Sequence, residues 1–125
     1  MNSVFRMNAI VAAALILISP SAAPANPRSH PLDEDAASDL LMRTLKHDRI
    51  YAKRISLGCL ACGTEETTDA YFQFYLREIH NAKCGGAPEV EPIVGRYRVY
   101  RRSGKIERWK PSDDSWHPYD PAKIK

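Results

Sequence analysis

The sequence has no apolar run longer than ten residues; the longest is Ala9–Ile18, "AIVAAALILI". A helix needs about 20 apolar residues to cross a bilayer, so this run argues against a spanning anchor. No cysteine stands at its end to carry a lipid. Nor does any serine sit in a nucleophile elbow, and neither a phosphate-binding glycine loop nor a paired-carboxylate pattern appears. Gly85 and Gly86 read as a turn rather than a nucleotide site. Cysteine is scarce, with three in 125 residues.

The short apolar run has a different meaning at this place in the chain. Arg6 precedes it and "SPSAAPA" follows it, the order of a secretory signal peptide with a small-residue cleavage site. Residues 1–25 are read as that peptide, cut after Ala25, which places the mature protein in the periplasm or outside the cell. No membrane span is expected after cleavage. Residues 26–32, with Pro27 and Pro31, form a flexible lead-in. Residues 33–125 then suffice for one domain with one modest core.

Charge is nearly balanced overall but unevenly placed. Residues 26–95 hold eight Lys/Arg against eleven Asp/Glu, whereas residues 96–125 hold nine against four. A net charge of +5 at one end can serve an anionic partner; in a solvated hairpin it also serves solubility.

"DEDAASDLLMRTLKHD" carries acids in its first turn and bases in its last, with Leu40, Leu41 and Leu45 at helical spacing, which predicts a helix over about 33–47. Arg49–Leu57 alternates and is expected to be a strand. Residues 70–80 fit two patterns. Phe72, Phe74 and Leu76 alternate as in a strand, while Phe72, Tyr75, Leu76 and Ile79 form a helical stripe; aromatic density favours the strand. Glu78 and His80 then close an otherwise apolar row. Residues 84–92 are a loop. "GRYRVYRRSGKIERWKP" reads as a hairpin about Ser103–Gly104, pairing Arg102 with Lys105, Tyr100 with Glu107 and Arg98 with Trp109. Tyr97, Val99 and Ile106 point inward, and Arg96, Arg98, Tyr100, Arg102 and Trp109 form a cationic, aromatic outer face. Pro111, Pro118 and Pro121 keep later elements short, with Trp116 and Tyr119 tacking the tail down.

In an oxidising compartment three cysteines suggest one bridge and one remaining thiol. Neighbours three apart rarely bridge each other, so Cys84 is the expected partner of Cys59 or Cys62. The preference falls on Cys59–Cys84, with Cys62 the free thiol. A redox role for the CxxC pair needs a depressed pKa, which Glu65 and Glu66 oppose. Cys59, Cys62, His80 and Cys84 also have zinc-ligand spacing, and a metal or thiol protein centred on them is the alternative reading. Glu78 and His80 could act as an acid–base pair; the plainer reading is a strand-end cap. The basic, aromatic face could stack on nucleic acid, yet an exported protein seldom meets one.

The span Phe74–Ile106, "FYLREIHNAKCGGAPEVEPIVGRYRVYRRSGKI", resembles a group of small exported proteobacterial proteins sharing a "REIH" strand end, a "CGG" turn and a "V-basic-SGKI" hairpin. Arg77, Glu78, His80, Cys84, Gly85, Gly86, Val99, Gly104 and Ile106 match; Ala87 stands where Asp is commoner. The resemblance implies an envelope protein. The element order is also similar to PepSY and cystatin-like architectures, which implies one helix covering an antiparallel sheet and, by analogy, binding or inhibition.

The expectation is therefore an α+β domain, one N-terminal helix on a three- to four-stranded antiparallel sheet. The expected function is that of a non-catalytic binding module without a cofactor, possessing an inhibitor or immunity-type role. Its expected partner is a protein or an anionic envelope component, not nucleic acid, met through Glu78, His80 and the basic hairpin face.

Overall fold

The computed structural model describes residues 30–124; the expected signal peptide at 1–25 lies outside them. The first helix, α1 (Glu34–His47), begins where Asp33 accepts a hydrogen bond from the Ala36 N–H, satisfying one of the amides that a helix start leaves without a partner. Glu34 and Asp35 lie at its positive end and Lys46 and His47 at its negative end, each favourable with the helix dipole. Ala37, Leu41 and Leu45 are fully buried against the sheet. Each leucine so buried contributes roughly 1.5–3 kcal/mol relative to exposure.

Five antiparallel strands follow in simple meander order: β1 (Leu60–Thr67), β2 (Tyr71–Glu78), β3 (Ile93–Tyr100), β4 (Ile106–Lys110) and β5 (Ser115–Pro118). The α+β expectation holds, with five strands rather than three or four. The face towards α1 carries Leu60, Phe72, Phe74, Leu76, Tyr97 and Val99, which form the core with the helix residues. Tyr97 brings a hydroxyl into that core, where it meets the hydroxyl of Tyr51 at 2.8 Å.

Two local expectations are overturned. Residues 49–57 are not a strand: Arg49 leaves α1 with φ +55°, and the Tyr51 carbonyl then accepts from both Arg54 and Ile55. The chain therefore coils through turns, with Tyr51 buried and Ile50 and Ile55 packed against the core. Burial comes from turns here, not from a pleat. The strand forms instead at Leu60–Thr67, where Glu65 is the extra residue of a bulge.

The second correction concerns the β3–β4 hairpin. Its register pairs Arg98 with Glu107 and Val99 with Ile106, a shift of two residues from the expected pairing. The loop is four residues long, closed by Tyr100 N–H to Lys105 and Gly104 N–H to Tyr100, with Gly104 at φ +70°. A shift of two preserves the face of every side chain, so Tyr97 and Val99 still point inward. Outside the sheet, Leu32 of the expected lead-in is already held, exchanging hydrogen bonds with Arg101.

Candidate functional site: the open sheet face

The side of the sheet away from α1 is built from the opposite set of alternating positions. Arg98 lies between Gln73 and Glu107 across the strands, and Arg96 lies opposite Tyr75. Trp109 pairs with Trp116 on β4 and β5, their rings 5.3 Å apart. A cavity of about 400 Å³ runs between these elements, with Glu65 and Glu66 on one side, Trp109 and Trp116 on the other, and Gln73, Arg96 and Arg98 between.

Arg98 is the centre of this face. Its guanidinium carbon lies 4.3 Å from the Tyr71 ring centroid and 4.1 Å from that of Trp116, so the planar cation is held between two π faces. Its Nε donates to Gln73 Oε1 at 3.0 Å, and Glu66 stands 4.0 Å away. Arg96 donates to both carboxylate oxygens of Glu65 at 3.1 Å. The Tyr100 hydroxyl donates to Glu107, which also receives Lys105. The arginines expected to form a cationic surface thus come with acids beside them. Hydrogen bonds from Gln73 and Arg96 hold the Glu65 carboxyl below the usual range, where burial alone would raise it.

Of the residues singled out in the hairpin, Arg96, Arg98, Tyr100 and Trp109 share this face. Arg102 is in the loop beyond the strands, exposed. Tyr71, Gln73 and Trp116 complete the face; the first two were not singled out as site residues, and Trp116 was expected only to tack the tail onto the domain. Period-two alternation in residues 70–80 puts Tyr71 and Gln73 there, so their sequence signal was present. Trp116 carried none beyond its bulk, because β5 is only four residues long.

Glu78 and His80 lie elsewhere, at the end of β2. His80 Nε2 is 2.8 Å from Glu78 Oε2 and its Nδ1 is 2.9 Å from the Ala87 carbonyl oxygen. Both partners are acceptors, so only the imidazolium, protonated on both nitrogens, satisfies both contacts. The Glu78 contact, then the Ala87 contact, raises the His80 pKa from its ordinary value. The pair works as a clasp on the following loop. Asn81 Oδ1 receives the N–H groups of Lys83 and Cys84, and Cys84 is bonded to Cys59.

That disulfide resolves the pairing left open by sequence. The Cα atoms of Cys59 and Cys84 lie 5.6 Å apart, ordinary for a bridge, and Cys62 is the free thiol. Cys62 alternates with Leu60 on the core side of β1 and is partly buried. Burial, with Glu34 nearby, pushes its pKa up to about 11, the reverse of what a redox thiol requires. The four residues with zinc-ligand spacing are therefore not assembled: two share a disulfide, Cys62 packs against the core, and His80 is engaged by Glu78 and Ala87.

Comparison with protein-family models, curated proteins and solved structures gave no match.

Proposed function

We propose that this chain is an exported, non-catalytic binding domain that captures a protein partner in the cleft of its open sheet face. The observation that carries this reading is Arg98 fixed between Tyr71 and Trp116 at the centre of that cleft. Arginine, tyrosine and tryptophan supply most strong anchor points at protein interfaces, and a guanidinium already stacked and hydrogen-bonded loses little side-chain freedom on binding. Glu65, Glu66 and Glu107 beside the arginines oppose a polyanion such as an envelope polymer or nucleic acid. They suit a protein surface with donors as well as acceptors. The leader-like residues 1–25 and the Cys59–Cys84 bridge support an oxidising compartment, and an inhibitor or immunity-type role fits a small module with one such face.

The test is capture from envelope extracts by the immobilised, oxidised protein, followed by calorimetric titration of the purified partner against variants. Arg98→Glu and Trp116→Ala should each weaken binding by about tenfold or more, as interface anchors do. Unchanged affinity in variants that retain native circular dichroism would refute the assignment of this face.

A further inference from the structure

Arg108 occupies an inward position on β4, opposite Tyr97 on one side and His117 on the other. Inward positions nearby on β3 and β4 carry Tyr97, Val99 and Ile106, so a guanidinium is out of character there. Its Nε is withdrawn from water and finds no acceptor among the described residues. A buried donor without a partner costs about 1–3 kcal/mol, and more when charged. No described residue supplies that partner, and the acids of the adjoining turns meet other cations. Asp113 receives Lys110 at 2.9 Å and His117 at 3.0 Å, and Asp120 lies 3.6 Å from Lys123. Nor is Arg108 Nε joined by a hydrogen bond to Tyr119, whose hydroxyl donates to Asp48 at 2.7 Å.

Beside Arg108 opens a cavity of about 940 Å³, formed by β4, β5 and the turn Pro121–Lys123 that follows them. That volume falls at the upper end of the range of small-molecule sites, about 300–1,000 Å³. Its apolar wall on the side of Arg108 comes from Tyr119 and Ile124. The cavity shares only Trp109 with the cleft on the open face, so its occupant and the protein partner proposed above are separate questions.

We propose that this cavity binds a small amphipathic monocarboxylate, its carboxylate received by the terminal nitrogens of the Arg108 guanidinium and its apolar body by Tyr119 and Ile124. The planar fork of arginine matches a carboxylate with two parallel N–H donors. Among the described residues of this wall, Arg108 is the cation that no acid meets, with Lys110 against Asp113 and Lys123 against Asp120, and one such charge matches a monocarboxylate rather than the two charges of a phosphate monoester.

The test uses N-acetylphenylalanine as probe, with its uncharged amide and phenyl phosphate as controls, titrated to millimolar concentration against the isotope-labelled full domain by NMR. The acid should shift the amide signals of Arg108, Trp109 and Tyr119 saturably, with the amide and phenyl phosphate each bound at least about tenfold more weakly. Arg108→Met, which keeps the length and removes the charge, should abolish binding and raise the thermal midpoint. Arg108→Lys should fold and bind the acid less tightly, and it stands in should the methionine variant misfold. Four results would each overturn the proposal: no saturable shift with the acid, equal binding of acid and amide, tighter binding of phenyl phosphate, or an unaltered affinity in both variants. A lowered thermal midpoint in a folded Arg108→Met would also overturn it, by showing that the guanidinium already has a partner within the fold.

Discussion

The imidazole of His80 lies directly on the backbone of Gly86: a Cβ built on that glycine would stand 2.5 Å from His80 Cγ. Gly86 has φ +83°, and its neighbour Gly85 has φ +76° with open space around it. The two glycines of the "CGG" turn therefore have different reasons to be glycine. Alanine at 85 meets only the left-handed backbone penalty, about 1–2 kcal/mol. Alanine at 86 meets that and the ring. Urea denaturation should show Gly86→Ala as the more destabilising by about 1 kcal/mol or more, with a matching loss of hydrogen-exchange protection in the loop.

The His80 clasp sets a pH dependence. Its folded pKa is raised, so its contribution is complete below the unfolded value near 6.5 and is lost as pH rises through the folded value. Glu78 and, more weakly, Glu91 favour the cation, while Arg54 lies 3.9 Å from Glu78 and shares its charge. NMR titration of His80 should give a midpoint above that of free histidine, and Glu78→Gln should lower it. Stability should fall on the alkaline side of that midpoint in the native protein, and His80→Gln should flatten that part of the profile.

The bridge and the spare thiol separate cleanly in reactivity. Cys59 and Cys84 close a loop of sequence separation 25, and Cys84→Ser should lose about 3 kcal/mol in chemical denaturation. Thiol counting on the oxidised native protein should find Cys62 reacting slowly at pH 8. In denaturant the same single thiol should react at the rate of a free cysteine, because the burial that raises its pKa is gone.

Tyr51 and Tyr97 offer a double-mutant cycle in the core. Either phenylalanine substitution strands the opposite hydroxyl, at about 1–3 kcal/mol. Removing both hydroxyls should cost less than the sum of the two single changes. Additive losses would mean that the 2.8 Å contact carries no coupling.

How much of this was legible in sequence follows from how local each cause is. The helix at 33–47 was readable because its cap, its dipole charges and its leucine spacing all lie within it, and it appears at Glu34–His47. Residues 70–80 resolved as a strand at Tyr71–Glu78 because three aromatic and aliphatic side chains share one face. Residues 49–57 misled for a nonlocal reason: alternation shows that side chains are buried, not that the backbone is extended. Arg49 adopting positive φ has no sequence signature. The hairpin's faces were right and its register was not, since Ser103–Gly104 marks a turn without fixing its length. At the candidate site, the arginines, the aromatics and Glu107 were visible, but Glu65 and Glu66 come from β1, a strand that sequence had placed ten residues too early. Arg108 looked like one more hairpin cation, and only the pairing of β4 with β3 and β5 shows that it faces inward.

Because every strand pairs with its neighbour in sequence, the sheet can be assembled in the order in which the chain emerges. Both sulfurs of the Cys59–Cys84 bridge flank only the β1–β2 hairpin, so oxidation can lock that unit before β3 exists to pair with it. Such local contacts favour fast folding, and the late arrivals, β4 and β5 with Arg108 and both tryptophans, then dock onto a covalently closed template. Thiol trapping during vectorial synthesis would reveal that timing as a bridge complete in chains ending before residue 93.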